Sequence, residues 1–213
     1  TTTHIMKPDF LSDESYIENE DLGQLANIFT NLKKNTLPLA ALGIPEKVVN
    51  SNIKWRSPSS DFCKKIAEFS KKFSTKNPYK FLKILCEGDG SKRLPIKLPK
   101  DGEPVFFPKT DTVIGVIGLS CLGKPIKETL FRYELLPNLT SLDNYFIKSL
   151  QSADIVTTDF LYRLCLSEKG LRKNITSQKF CIIFNQADIL DEKALAEVIT
   201  LRNQLQTKGI CPH

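Results

Sequence analysis

Histidine is nearly absent from this chain of 213 residues: His4 and His213 are the only two. None of the six cysteines, Cys63, Cys86, Cys121, Cys165, Cys181 and Cys211, belongs to a CxxC pair. Without paired thiols or enough imidazoles there is no zinc-ligand spacing. The same pattern argues against a disulfide framework and fits a reducing cytosol. Cys86 and Cys181 lie in apolar, strand-like runs and read as small buried hydrophobes. No run approaches the roughly 18 apolar residues that a membrane span needs. The opening Thr1-Thr2-Thr3-His4 has neither a basic n-region nor an apolar h-region, so no secretory leader is read and a cytoplasmic location is expected. An initiator Met is missing too, which reads as a processed N-terminus or, more simply, as a fragment. A basic stripe with interleaved aromatics is also lacking. The net charge of +6 comes from scattered lysines, paired at Lys33-Lys34, Lys64-Lys65 and Lys71-Lys72 on what read as solvated helix faces. That weighs against a nucleic-acid partner and leaves phosphate-bearing small molecules compatible.

What is present suits one soluble domain with a sizeable core, residues 1–213, carrying a Pro-rich extended loop at 93–108. Leu22, Leu25, Ile28, Phe29 and Leu32 recur at helical spacing over 21–34. Ser59 or Ser60 can cap a second helix bearing Phe62, Ile66, Phe69 and Phe73. The period then changes: 79–86 reads as a strand, followed by a tight loop through Glu87-Gly88-Asp89-Gly90-Ser91. Pro95, Pro99, Pro104 and Pro108 exclude helix from 93–108. Buried strands are expected at 112–118 and 179–184, and helices at 139–150, 159–166 (closed near Gly170) and 192–205. Near-continuous apolar strands alternating with amphipathic helices predict a mostly parallel sheet covered on both faces. Ligands of such sheets bind at the carboxyl ends of the strands. Three polar loops are expected there, at 87–91, 119–125 and 185–188.

Each loop has a chemical and a plain reading. Asn185-Gln186-Ala187-Asp188 resembles the Asn-Lys-x-Asp of GTPases, in which the Asp carboxylate accepts two N–H bonds from guanine and the Asn meets the base edge. The plain reading is a turn, with Asp188 or Asp191 capping the next helix. In Glu87-Gly88-Asp89-Gly90, a carboxylate at a strand end is placed to hold Mg²⁺ or orient a water, Asp89 being the better ligand and Glu87 the second candidate. The plain alternative is a Gly-rich turn. Gly118-Leu119-Ser120-Cys121-Leu122-Gly123-Lys124-Pro125 matches GxxxxGK, yet Pro125 replaces the hydroxyl that binds Mg²⁺ and removes an N–H from the cradle, so it is not a Walker A loop. Lys124 can still reach an anion. His4 is a candidate general base or ligand, or an ordinary surface or packed residue. Lys92 and Arg93 contact phosphate or are simply solvated, and Trp55 reads as core or interface.

Several strings taken together resemble the YqeC family. They are Thr1-Thr2-Thr3-His4-Ile5, the run from Glu87-Gly88-Asp89-Gly90-Ser91 through Lys92-Arg93-Leu94-Pro95-Ile96-Lys97, Glu103-Pro104-Val105, Gly115-Val116-Ile117-Gly118-Leu119 with Leu122-Gly123-Lys124-Pro125, Arg132 with Glu134, and Asn185 to Asp188 with Ile189-Leu190. The resemblance implies a P-loop NTPase-like three-layer α/β sandwich with a mostly parallel sheet. It also implies an accessory role in maturing selenium-dependent molybdenum hydroxylases. Relatives carry a Gly-rich GGKT-type loop upstream of the Thr-Thr-Thr-His string, so this chain is expected to lack the first strand and the phosphate-binding loop. It departs from the family in having Gly88 for the usual Ala, Cys121 inside its loop and Gln186 in place of Lys.

The expectation is thus a protein that binds GTP or ATP with Mg²⁺, any NTPase activity belonging to the full-length protein. Asp89 would hold the metal, Asn185 and Asp188 the base, and Gly123, Lys124 and Arg93 the phosphates; Glu87 and His4 are the catalytic candidates. Expected partners are the nucleotide and a molybdenum hydroxylase or selenium-transfer protein, with no nucleic acid and no membrane. The competing reading is a non-hydrolysing carrier that docks a hydroxylase or a selenium intermediate through 93–108 and Cys121. A transferase that keeps only the sheet is a third.

Overall fold

The computed structural model describes residues 5–7, 15–30, 39–76, 83–138 and 154–212. The chain divides into two compact units, Thr1–Gly90 with Val105–Lys109, and Ser91–Pro104 with Thr110–His213. The division runs through the Pro-rich stretch, where the sequence reading has a loop of a single domain.

The first unit holds strands β1 (Ile5–Met6) and β2 (Tyr16–Ile17), helix α1 (Leu22–Thr30), strands β3 (Ala41–Leu42), β4 (Ile44–Val49) and β5 (Asn52–Arg56), and helix α2 (Ser60–Lys76). An antiparallel sheet is ordered β1-β5-β4, and β2 pairs with β3 in parallel. The β4–β5 hairpin turns on Asn50 and Ser51, both at positive φ (48° and 64°), the backbone that a two-residue turn demands. Helical periodicity is realised as expected: Leu25 and Phe29 of α1 pack with Phe62 and Ile66 of α2 around Ile17, flanked by Phe69 and Phe73. Ser59 is the cap of α2, its hydroxyl accepting from Phe62 N–H at 3.2 Å while it donates to the Glu20 carboxylate at 2.7 Å. Leu32 lies outside the described residues.

The strand expected at 79–86 requires correction. Residues 79–82 are outside the described part, and 83–90 adopt neither strand nor helix. Ile84 and Leu85 are exposed, and Cys86 is exposed rather than buried. An apolar run becomes a strand only when a neighbouring strand satisfies its backbone.

The second unit contains β6 (Ile96–Lys97), β7 (Thr112–Gly118), helix α3 (Ile126–Thr129), β8 (Leu130–Phe131), helix α4 (Thr158–Leu166), β9 (Lys179–Asn185), helix α5 (Glu192–Thr207) and β10 (Cys211–Pro212). Its sheets are parallel, one ordered β10-β9-β7 and the other pairing β6 with β8. The architecture is therefore α/β with short, mostly parallel sheets. Strands β7 and β9 and helices α4 and α5 lie close to their expected bounds; the helix expected at 139–150 is outside the described residues. Thr157 caps α4 by accepting from Phe160 N–H, and Asp191, not Asp188, caps α5 by accepting from Ala194 N–H at 2.7 Å.

The core of this unit gathers Ile117 and Ile182 of the sheet, Phe160, Leu161 and Leu164 of α4, and Leu201 and Leu205 of α5. Among the described residues, the expected cover is seen on one face of the sheet. Ile114 and Val116 of β7 are 48% and 53% exposed, and Ile183 of β9 is also exposed. Cys181 sits on that same side and is half-buried, not buried. Alternation of burial along β7 is what a half-covered sheet imposes on a run whose composition alone suggested full burial. Among the described residues, no helix is long and apolar enough to cross a membrane.

Candidate functional site

Parallel pairing in strict register from Thr112↔Lys179 to Gly118↔Asn185 brings the carboxyl ends of β7 and β9 level with each other. Each strand then breaks into a short 3-10 turn, Leu119–Cys121 and Ala187–Ile189. Gly118 sits where three segments close in. A Cβ there would lie 2.9 Å from both the Gln186 side-chain oxygen and the Pro95 Cβ. Its N–H donates to the Pro95 carbonyl at 2.9 Å. The segment following Ser91 is thereby tied to the strand ends without a strand of its own preceding it in this unit.

Gln186, which stands where the GTPase pattern has Lys, takes a left-handed conformation with φ 66°. Its N–H donates to Asn185 Oδ1 at 2.9 Å, so the Asn side chain shapes its own turn. Asn185 and Asp188 are both exposed. The Asp188 carboxylate makes no hydrogen bond or ion pair among the described residues.

The 119–125 loop gives a physical reason why GxxxxGK fails here. A phosphate cradle needs backbone N–H groups aimed at the ligand. Instead Leu122 N–H donates to Leu119 O, Gly123 N–H to Val156 O at 3.0 Å and Lys124 N–H to Cys121 O at 3.0 Å. Val156 N–H returns to Lys124 O at 2.9 Å, stitching the loop to the segment before α4. Gly123 carries φ 71°, which its missing side chain permits. The Lys124 side chain is exposed. Cys121 is fully buried, and burial pushes its thiol up to about 11.

Arg93 occupies a tight turn with Lys92, closed by Leu94 N–H donating to Ser91 O at 3.0 Å. Both residues are exposed. Asn185 and Asp188 thus lie at the carboxyl end of β9, Gly123 and Lys124 further along the chain after β7 and bonded to Val156, and Arg93 on the segment that Pro95 ties to Gly118. Glu87 and Asp89 belong to the other unit, and His4 is outside the described residues. No cluster of three or more His, Cys, Asp or Glu able to hold a metal occurs among the described residues.

One group of charged residues in the second unit was not singled out as a site by the sequence reading. Glu103 is 8% exposed, and both nitrogens of the Arg132 fork bond its carboxylate, Nη2 at 3.1 Å and Nη1 through a shorter contact. Lys97 Nζ lies 3.0 Å from the same carboxylate and Lys100 Nζ 3.9 Å. The Arg132 guanidinium holds the Glu103 carboxyl down to about 2, against the opposing effect of burial and with further help from Lys97. Burial lowers the Lys97 ammonium, and its bond to Glu103 offsets only part of that. Phe131 lies within this group: Lys92 Nζ, Lys97 Nζ and Arg132 Cζ stand 5.0, 5.5 and 4.8 Å from its ring centroid. The pairing of β6 with β8 brings Lys97 beside Phe131 and so makes the group. Sequence held one signal: Lys97, Glu103 and Arg132 fall in three of the strings that carry the family resemblance. Nothing in their spacing said that they meet.

A family model described as YqeC protein matches residues 1–134 of the chain. The chain belongs to the YqeC family. The YqeC match spans Arg93, Lys97, Glu103, Gly123, Lys124 and Arg132, whereas Asn185 and Asp188 lie beyond it. Neither the curated proteins nor the solved structures yield a match.

Proposed function

We propose that this YqeC-family chain serves as an accessory protein in the maturation of selenium-dependent molybdenum hydroxylases, binding a nucleoside triphosphate, GTP or ATP, with Mg²⁺. Family membership supports the accessory role. One observation carries the nucleotide reading: the Asn185–Asp188 loop stands at the carboxyl end of a parallel strand, beside the turn that follows the neighbouring strand. That is where doubly wound sheets take their ligands. Asp188 offers an uncommitted carboxylate to two N–H groups of a guanine edge, and the Asn185 amide offers a donor beside it. Exposed Lys124 and Arg93, with Gly123 allowing close approach, would neutralise phosphate oxygens.

Mg²⁺ is held by one or two carboxylates together with phosphate oxygens and water, so it does not require a cluster of three or more ligands, and none occurs among the described residues. By residue type, Asp89 in its glycine-flanked loop is the candidate Mg²⁺ ligand of the first unit, and Glu87 the candidate to orient a water. When bound, the ion would supply charge neutralisation to the phosphates. The competing carrier reading loses its thiol, because Cys121 is sealed in the core of the second unit.

The test is nucleotide titration of the full-length protein and its Asp188→Ala variant. The wild type is expected to prefer GTP to ATP and the variant to lose that preference. Equal affinity for both nucleotides in both proteins sinks the base-reading claim.

A further inference from the structure

We propose that the cavity of the first unit, lined by both Cys63 and Cys86, is a binding site for a small, single-ring apolar molecule bearing a soft, thiol-seeking atom. This goes beyond the nucleotide reading. Of the residues assigned there, only Glu87 borders the cavity.

The cavity measures about 200 Å³ and is lined wholly by residues of the first unit. Leu25 and Phe29 of α1, Ile66 of α2, Leu42 of β3, Trp55 of β5 and Phe107 give it an apolar wall. An engineered apolar cavity of about 150 Å³ takes up benzene, so this one has room for a ring and a small substituent. It is smaller than the roughly 300–1,000 Å³ of drug-sized sites, which argues for a ligand smaller than a nucleotide. Arg56, Lys83 and Glu87 also border it, and all three are exposed, so charge gathers on its solvent side. Ile84 and Leu85, which line it too, are 38% and 90% exposed. Large apolar side chains in solvent beside a cavity are surface that a bound molecule would cover.

The two thiols are separated in the chain, Cys63 on α2 and Cys86 on the segment after it, and the fold brings them to one wall. Cys63 is buried and Cys86 exposed, and neither forms a disulfide. One sulfur therefore belongs to the interior of the wall and the other to the side that a ligand enters. Cys63 shares a hydrogen bond with Ser57, and Cys86 Sγ donates to the Glu87 carbonyl at 3.8 Å. Thiols are weak donors, so both bonds yield readily to a bond between sulfur and ligand.

Burial pushes both thiols up, and a negative charge on Cys63 raises Cys86 further. The two sulfurs are thus near enough to sense each other's charge. Reagents that need a free thiolate react slowly at such a pair. A soft centre instead displaces the protons as it binds, and its bond to Cys63 removes the charge that Cys86 feels. An apolar wall with two sulfurs favours a soft, weakly hydrated atom over a hard cation, which prefers carboxylate and water oxygens.

The probe is phenylarsine oxide, one aromatic ring carrying a trivalent arsenic. Its arsenic–oxygen bond breaks, two arsenic–sulfur bonds form, and the oxygen leaves as water with the two thiol protons; arsenic stays trivalent. The whole chain, reduced with a phosphine, is treated with one equivalent and then with excess 2-mercaptoethanol, which strips arsenic held by a single thiol. Retention is read by intact-mass spectrometry. Wild type is expected to retain one arsenical, with a changed emission from Trp55, the single tryptophan and part of the wall. Cys86→Ser, a change at an exposed residue, is expected to lower retention roughly a hundredfold, because the second bond no longer forms within one molecule. Cys63→Ser is expected to do the same. Cys181→Ser, in the second unit, is expected to behave as wild type does. Ala40→Phe keeps both thiols but sets a ring into the cavity, and retention is expected to fall. Far-UV circular dichroism checks that each variant is folded; should an interior variant unfold, Cys86→Ser decides. No retained arsenical on wild type, an adduct that leaves Trp55 emission unchanged, or retention equal to wild type by Cys86→Ser, folded Cys63→Ser or folded Ala40→Phe overturns the proposal. No nucleotide enters any arm, so the outcome is independent of the nucleotide reading.

Discussion

Replacing Glu103 by glutamine keeps the shape of the side chain and removes the charge that the Arg132 fork, Lys97 and Lys100 face. The carboxyl has an ordinary value of 4.5 and is held at about 2 in the folded chain, chiefly by Arg132. Holding the carboxyl that far below its ordinary value corresponds to about 3 kcal/mol of folding stability at neutral pH. Because the folded value is the lower one, that stability is fully present above the unfolded value of 4.5 and is lost as pH falls through 4.5 towards about 2. Glu103→Gln is therefore expected to cost about 3 kcal/mol at neutral pH, in line with the 3–5 kcal/mol typical of breaking a buried pair from one side. The gap to wild type should hold from neutral pH down to about 4.5 and shrink below it, as the stabilisation by wild-type Glu103 is lost. Urea midpoints followed by far-UV circular dichroism, taken from about pH 7 to about pH 3, measure this. A gap between the two proteins that stays constant across the pH range, or no gap at neutral pH, refutes the electrostatic account of this cluster.

Two glycines yield further expectations. Gly118→Ala drives a methyl to 2.9 Å from the Gln186 oxygen and from Pro95 Cβ, and to 3.2 Å from the Pro95 backbone. The second unit should lose about 1–3 kcal/mol, seen as a lower urea midpoint by circular dichroism, and an unchanged midpoint would contradict the close packing of the strand ends. Gly43→Ala places its Cβ 2.3 Å from the Trp55 ring, so the indole must move. A shifted Trp55 emission maximum in the native protein is expected, together with weakening of the 3.1 Å bond from its indole N–H to Glu18; an identical spectrum would count against this packing.

Local pattern was enough wherever one stretch of chain decides its own conformation. Apolar spacing located α1, α2, α4 and α5. Asp191 ahead of α5 and Ser59 ahead of α2 were recognisable caps, because capping is settled within three residues. The runs at β7 and β9 were legible as strands, and the proline spacing excluded helix from 93–108. Pro125 ruled out a Walker A loop on chemical grounds, and the internally consumed N–H groups of 122–124 show a second reason that sequence does not display. Strings alone also identified the family.

Contacts between distant segments were decided by tertiary structure alone. Residues 83–86 have strand composition, but with no ladder they form none. Ile114 and Val116 have the composition of a doubly buried strand, yet coverage of a sheet face depends on where helices pack. The β4–β5 hairpin, with a polar strand and an Asn50-Ser51 turn in place of the usual glycine, gave little hydrophobic signal. Glu103 and Arg132 are the sharpest case. Separated by 29 positions and each an ordinary surface residue by type, they meet as a pair beside the parallel β6–β8 ladder, which joins the segments that lead to them. Periodicity is a property of neighbours in the chain, whereas charge balance and burial belong to neighbours in space.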